Sequence, residues 1–121
     1  MRDHRKLKAF QKADELVLAV YGATSKLPAE ERFGLAAQLR RAAVSIGSNI
    51  VEGSACDSEA EYLRFLEIAF RSAREVEYQL SLAARLGYLE AKHRETLPAL
   101  TNETCALLIG LIKSLKQRKS P

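Results

Sequence analysis

The chain has no tryptophan, only two histidines and two cysteines, and just three prolines among its 121 residues. Each scarcity narrows the field. Cys56 and Cys105 stand far apart with no C-x-x-C or Cys/His spacing, so neither a zinc site nor a disulfide framework is expected, and the thiols are read as reduced and cytoplasmic. The longest apolar run, Cys105 to Ile112 with Gly110 inside it, is too short to span a bilayer, and the basic opening MRDHRKLKAF has no apolar signal core. Neither a membrane nor secretion is expected. Inward-facing di-iron centres in helical bundles need two Glu-x-x-His motifs and two further carboxylates. This chain has one match, Glu90-x-x-His93, and its other histidine is His4. No Ser/His/Asp set, glycine-rich phosphate loop or cysteine–histidine pair is visible, and Cys105 sits on a helical face as a small apolar residue. No enzymatic activity, metal or cofactor is expected.

What is present is the balance of a helical globular protein, 47% hydrophobic and 28% charged. The length suits one domain over residues 1–121 with a single core, and flexible basic tails are expected at about 1–8 and 117–121. The net charge of +4 is unevenly spread. Arg2, Arg5, Lys6, Lys8 and Lys12 at one end and Lys113, Lys116, Arg118 and Lys119 at the other face only Asp3, whereas the body between them is net acidic.

Four stretches repeat apolar residues at helical steps of three and four. The first runs from Phe10 to Leu27, and Pro28, Glu30 and Glu31 then suit the opening turn of a second helix. That helix carries Leu35, Leu39, Ala42, Ala43, Ile46 and Ile50, with Gly53 placed to close it in a left-handed cap. Ser58-x-x-Glu61 is a capping box opening the third, whose seam is Tyr62, Leu66, Ala69, Ala73, Val76, Leu80 and Ala83. Glu67 and Arg71 are spaced as an i,i+4 pair within it. Gly87 suits the following turn. The fourth helix shows Leu97, Leu100, Thr104, Leu107, Leu108, Leu111 and Leu115 on one face, and Pro98 either starts it late or, as the turn-free Glu90–Glu95 stretch favours, kinks a helix begun at Glu90.

Short connections between four amphipathic helices predict an all-α, antiparallel up-down-up-down four-helix bundle. In that topology both basic termini meet at one pole, beside Ser48, Asn49, Glu52 and the Ser54–Asp57 loop.

Beside the apolar face of the second helix runs a polar stripe, Gln38, Arg41, Ser45, Ser48 and Glu52. It reads either as a solvated face or set of interhelical hydrogen bonds, or as a subunit seam or ligand strip. The segment QLRRAAVSIGSNIVEG that contains it, with YLRFLEIAFRSAREVEYQL further on, resembles the four-helix-bundle family whose early members are encoded in intervening sequences of bacterial 23S rRNA genes. The most specific positions are Ser45, Ser48, Asn49, Glu52 and Gly53, and Phe65, Leu66, Ala69, Ser72 and Glu75; the likeness covers about residues 7–117. Many members have proline where this chain has Gly47, which implies a bend there. The resemblance implies a homopentameric ring, with Gln38, Arg41, Ser45, Ser48, Asn49, Glu52, Gly53, Ser72 and Glu75 as signature or assembly positions. A related accessory protein of diversity-generating retroelements is a basic pentamer that binds nucleic acid.

Two functions therefore compete. A ring of basic poles would bind RNA or DNA backbone with strong salt dependence. A scaffold presenting a surface to an unidentified protein partner needs only the bundle, and the basic ends are then solubilising tails.

Overall fold

The computed structural model describes residues 2–119, with the side chain of Lys119 outside the described set. It is all helical: α1 (Lys8–Thr24), α2 (Leu35–Ser54), α3 (Glu59–Arg85) and α4 (Ala91–Lys119), with one-turn 3-10 segments at His4–Lys6 and Ala29–Glu31. Each long helix packs on two neighbours, α1 on α2 and α4, α3 on α2 and α4, and the diagonal pairs make no close approach. Contacts across α2 and α3 run antiparallel. Arg41 meets Glu75, Ser45 meets Ser72, and Gly53 meets Tyr62 and Phe65, the partner number falling as the α2 number rises.

The core is the one the apolar periodicity marks out on α2 and α3. Leu39, Ala42, Ala43, Ile46 and Ile50 of α2 and all seven seam residues of α3 are buried. On α4 the buried line also takes in Thr101, Cys105 and Ile112. Thr101 and Thr104 bury their hydroxyls without penalty, because each donates to the carbonyl four residues back, Leu97 at 2.7 Å and Leu100 at 2.8 Å. Leu97, Leu108 and Leu115 complete that line.

Several helix ends differ from expectation for local reasons. The expected start of α2 at Pro28–Glu30 is a single 3-10 turn, and the helix proper opens at Leu35 after Gly34. There the Glu31 carboxylate accepts the Leu35 N–H at 3.0 Å, satisfying an orphan donor, and also accepts the Tyr88 hydroxyl at 3.3 Å. α2 continues through Gly47 as helix, without the interruption a proline there would bring. Pro98 lies inside α4 rather than at its start. At Ser58 the hydroxyl accepts the Glu61 N–H at 3.0 Å, one of the two bonds of the expected capping box. Gly87, at φ 77°, closes α3: its N–H reaches Ala84 O and that of Tyr88 reaches Ala83 O at 2.9 Å, the paired bonds of a Schellman turn.

Gly53 does something other than cap. It lies within α2, buried, and a β-carbon on it would stand 2.8 Å from Phe65 Cβ and 3.3 Å from Tyr62 Cδ1. The missing side chain therefore sets how closely the ends of α2 and α3 approach. By contrast, a β-carbon on Gly47 would meet nothing nearer than Phe10 Cε1 at 3.9 Å. Gly53→Ala should accordingly destabilise the fold by about 1–3 kcal/mol through overpacking, whereas Gly47→Ala should stabilise it by about 0.5–1 kcal/mol through helix propensity. Urea unfolding of the two variants checks this, and equal effects would contradict it.

Candidate interaction surfaces

The polar stripe of α2 divides between two neighbours. Its first part faces α3. Arg41 pairs with Glu75 and donates from Nε to Gln38 Oε1 at 2.9 Å; Glu75 also accepts from Gln79 Nε2 at 3.0 Å. One turn on, the Ser45 and Ser72 hydroxyls share a hydrogen bond of 2.9 Å, and Asn49 Nδ2 donates to Ser45 O at 2.8 Å and Ser45 Oγ at 3.0 Å. Most of the signature residues are thus spent inside one chain, as a ladder along the α2–α3 groove. The ladder holds register because two apolar helices alone would slide with little loss, while each unmatched buried polar group costs free energy.

Its second part faces α1. Ser48 and Glu52 are exposed and line a cleft of about 400 Å³ with Phe10, Asp14, Val17 and Val51. Val44 and Val51 remain 43% and 37% exposed there, over a floor of Ala13, Ala43 and Gly47. An apolar, small-residue cleft on an outer face has the character of a contact surface.

The basic pole is present in position, and four of its eight described cations are paired with carboxylates. Arg2, expected in a flexible tail, is anchored: its N–H donates to Ser54 O at 3.1 Å, its guanidinium donates to Cys56 O at 3.0 Å and stacks 4.1 Å from the Tyr62 ring centre. Arg5 is bonded to Asp3, which holds that carboxyl below its ordinary range. Lys12 reaches Glu103 at 3.3 Å and Glu15 at 3.4 Å, so its pKa is raised, chiefly by Glu103. Lys116 meets Glu67 at 3.2 Å, and Arg118 approaches Glu59 at 3.7 Å. Lys6, Lys8 and Lys113 are exposed and make no ion pair among the described residues. The Lys119 side chain lies outside the described residues. What the spacing of charges did not show is that carboxylates of the acidic body point into the same pole.

One of those pairs overturns a local expectation. Glu67 is joined to Lys116 of α4 and not to Arg71, because a carboxylate at the α3–α4 boundary finds its counterion on the facing helix. Arg71 is left exposed. Burial, the leading cause, raises the thiol pKa of both Cys56 and Cys105, so neither is held as thiolate. Glu90 and His93 share only a backbone turn, His93 N–H to Glu90 O at 2.9 Å, and no three His, Cys, Asp or Glu among the described residues are placed to hold a metal.

Fold and seam define the class, an antiparallel four-helix bundle whose second and third helices are locked by a polar ladder. The sequence matches the family described as 23S rRNA-intervening sequence protein over residues 5–110, and the chain belongs to that family. A solved relative from Bacteroides thetaiotaomicron, described as a protein of unknown function from the S23 ribosomal protein family, superposes with a TM-score of 0.79 at 31% identity, covering 87% of this chain and 95% of its own. No functionally curated protein matches. No described helix is long and apolar enough to cross a membrane.

The Arg41–Glu75 pair is half exposed, at 52% and 39% of the two side chains, so its strength is that of a surface pair. A double-mutant cycle of Arg41→Ala and Glu75→Ala should return a coupling of about 0.2–1 kcal/mol that shrinks in 0.5 M salt (about a 4 Å screening length). A larger coupling that salt leaves untouched would show the ladder to be an electrostatic lock instead of a register device.

Proposed function

We propose that this chain is a non-enzymatic cytoplasmic bundle that assembles with copies of itself, a pentamer as the family resemblance implies, and binds nucleic acid through backbone phosphates with little sequence choice. The observation that carries the binding reading is the set of exposed cations without an ion pair among the described residues at the pole of the two termini, Lys6, Lys8 and Lys113. Repeated around a ring, three such charges per chain would focus positive potential on one face. The α1–α2 cleft supports self-assembly, since a cyclic ring uses one heterologous contact repeatedly and the cleft supplies an apolar half of it.

The second reading, a scaffold for a protein partner without nucleic acid, rests on the same cleft and on the exposed Leu18 and Tyr21 of α1. Binding distinguishes the two. Fluorescence anisotropy with a labelled RNA oligonucleotide should give an affinity that falls steeply with salt, and Lys6→Gln, Lys8→Gln, Lys113→Gln together should flatten the log–log salt slope by about 2 (0.7 per contact on a single strand). Val44→Glu with Val51→Glu should shift the mass by light scattering toward the monomer. An oligomer that binds no nucleic acid at low salt would leave the scaffold reading.

A further inference from the structure

The outer face of α3 carries charge that the termini do not. Arg64, Arg71, Tyr78 and Arg85 recur every seven residues and are all exposed, Tyr78 by 61%. Seven residues are two helical turns, so the four side chains form a row on the face away from the core, with steps of about 10.5 Å and a span of about 31 Å. Most carboxylates flanking that row are already engaged, Glu67 with Lys116 of α4, Glu75 with Arg41 of α2 and Glu77 with Arg74, while the exposed Glu61 stands one turn before Arg64 without an ion pair among the described residues. Among the described residues Arg64, Arg71 and Arg85 make no ion pair. Arg64 lies over the Phe65 ring at 4.8 Å, and Arg85 Nε donates only to Ser81 at 3.3 Å.

We infer that this face of α3 is a track for single-stranded nucleic acid, with phosphates on Arg64, Arg71 and Arg85 and one base stacked on Tyr78. The inference rests on the nucleic-acid reading above and assigns it a different surface. Three features favour a single strand. Guanidinium forks match phosphate geometry and stay charged at any physiological pH. The row winds by only about 20° per seven residues, so it follows an extended backbone along the helix. Tyr78 borders a cleft with Leu82 and Leu86, the latter 51% exposed, which gives an unpaired base an aromatic face and an apolar flank. The two carboxylates that line the same cleft, Glu31 and Glu75, are bonded to Leu35 N–H and Tyr88 and to Arg41, respectively. Arginines interleaved with an exposed aromatic are the combination that single-strand binders use; at the terminal pole Tyr62 is buried and covered by Arg2, and the half-buried Phe10 packs edge-on with His4.

The test is anisotropy of labelled U20 and dT20 across a potassium chloride series, with folding of every variant checked by circular dichroism. Arg64→Gln, Arg71→Gln, Arg85→Gln together should weaken binding at low salt by about tenfold or more and reduce the salt slope by about 2. Arg71→Lys should keep the slope. Tyr78→Ala should weaken binding about tenfold with the slope unchanged, and Tyr78→Phe should restore it. Equal affinity for U20 and dT20 is expected, because no contact invoked reads the 2′-hydroxyl. If the wild type binds and the arginine variant binds equally with the same slope, the track is wrong while the nucleic-acid reading stands. If the wild type fails to bind either oligonucleotide, both fall. Should the triple variant unfold, Arg71→Gln against Arg71→Lys still decides, since only the first should flatten the slope.

Discussion

Phe65 stands where the side chain of residue 53 would be, and that exclusion governs the α2–α3 pair. With glycine there, the loop end of the hairpin closes tightly, and small residues continue the close approach along its length: Ala42 and Ser45 on one side, Ala69, Ser72 and Ala73 on the other, mostly buried. Close backbones bring short polar side chains within reach of each other, which is why a serine can bond a serine across the groove. Long side chains in the same places would force the helices apart and leave the ladder unmade. α1 and α4 then cover the hairpin's apolar side.

The same hairpin settles where charge is available. Once Arg41 and Lys116 cross to α3 for Glu75 and Glu67, Arg71 on the outer side of α3 loses both carboxylates one turn away from it. At the termini Arg5, Lys12 and Arg118 are matched by Asp3, Glu103 and Glu59, which leaves Lys6, Lys8 and Lys113 without an ion pair among the described residues. Formal charge along a sequence therefore overstates the electropositive surface where the fold pairs distant residues. Exposed, uncompensated charge is the quantity that attracts an anionic polymer.

Much of the architecture was legible beforehand because helical periodicity is a local signal. The α3 seam is buried at every position it marks, the Ser58 cap is formed, and Gly87 adopts the left-handed turn. The failures arise where two distant segments decide the outcome. Gly53 looks like a cap in sequence because its contact, Phe65, lies twelve residues on. The polar stripe looks continuous because helical spacing cannot tell a residue facing α3 from one facing α1. Arg71 looks paired because the competing Lys116 belongs to another helix. The 3-10 turn before α2 was obscured by Pro28 and two glutamates, good helix-start chemistry used for a single turn. The row on α3 was hidden for a similar reason, since its flanking glutamates seem to neutralise it until their partners are known.

The central claim is that the tightly packed α2–α3 hairpin is the frame that positions every surface of the molecule. Native-state hydrogen exchange reads this most directly, because amides in the most stable unit open only with global unfolding. The slowest-exchanging amides should lie in the facing stretches of α2 and α3, around Ala42–Ile50 and Leu66–Leu80, with α1 and α4 opening at lower free energy. Slowest exchange confined to α1 or α4, with the hairpin opening first, would contradict the account.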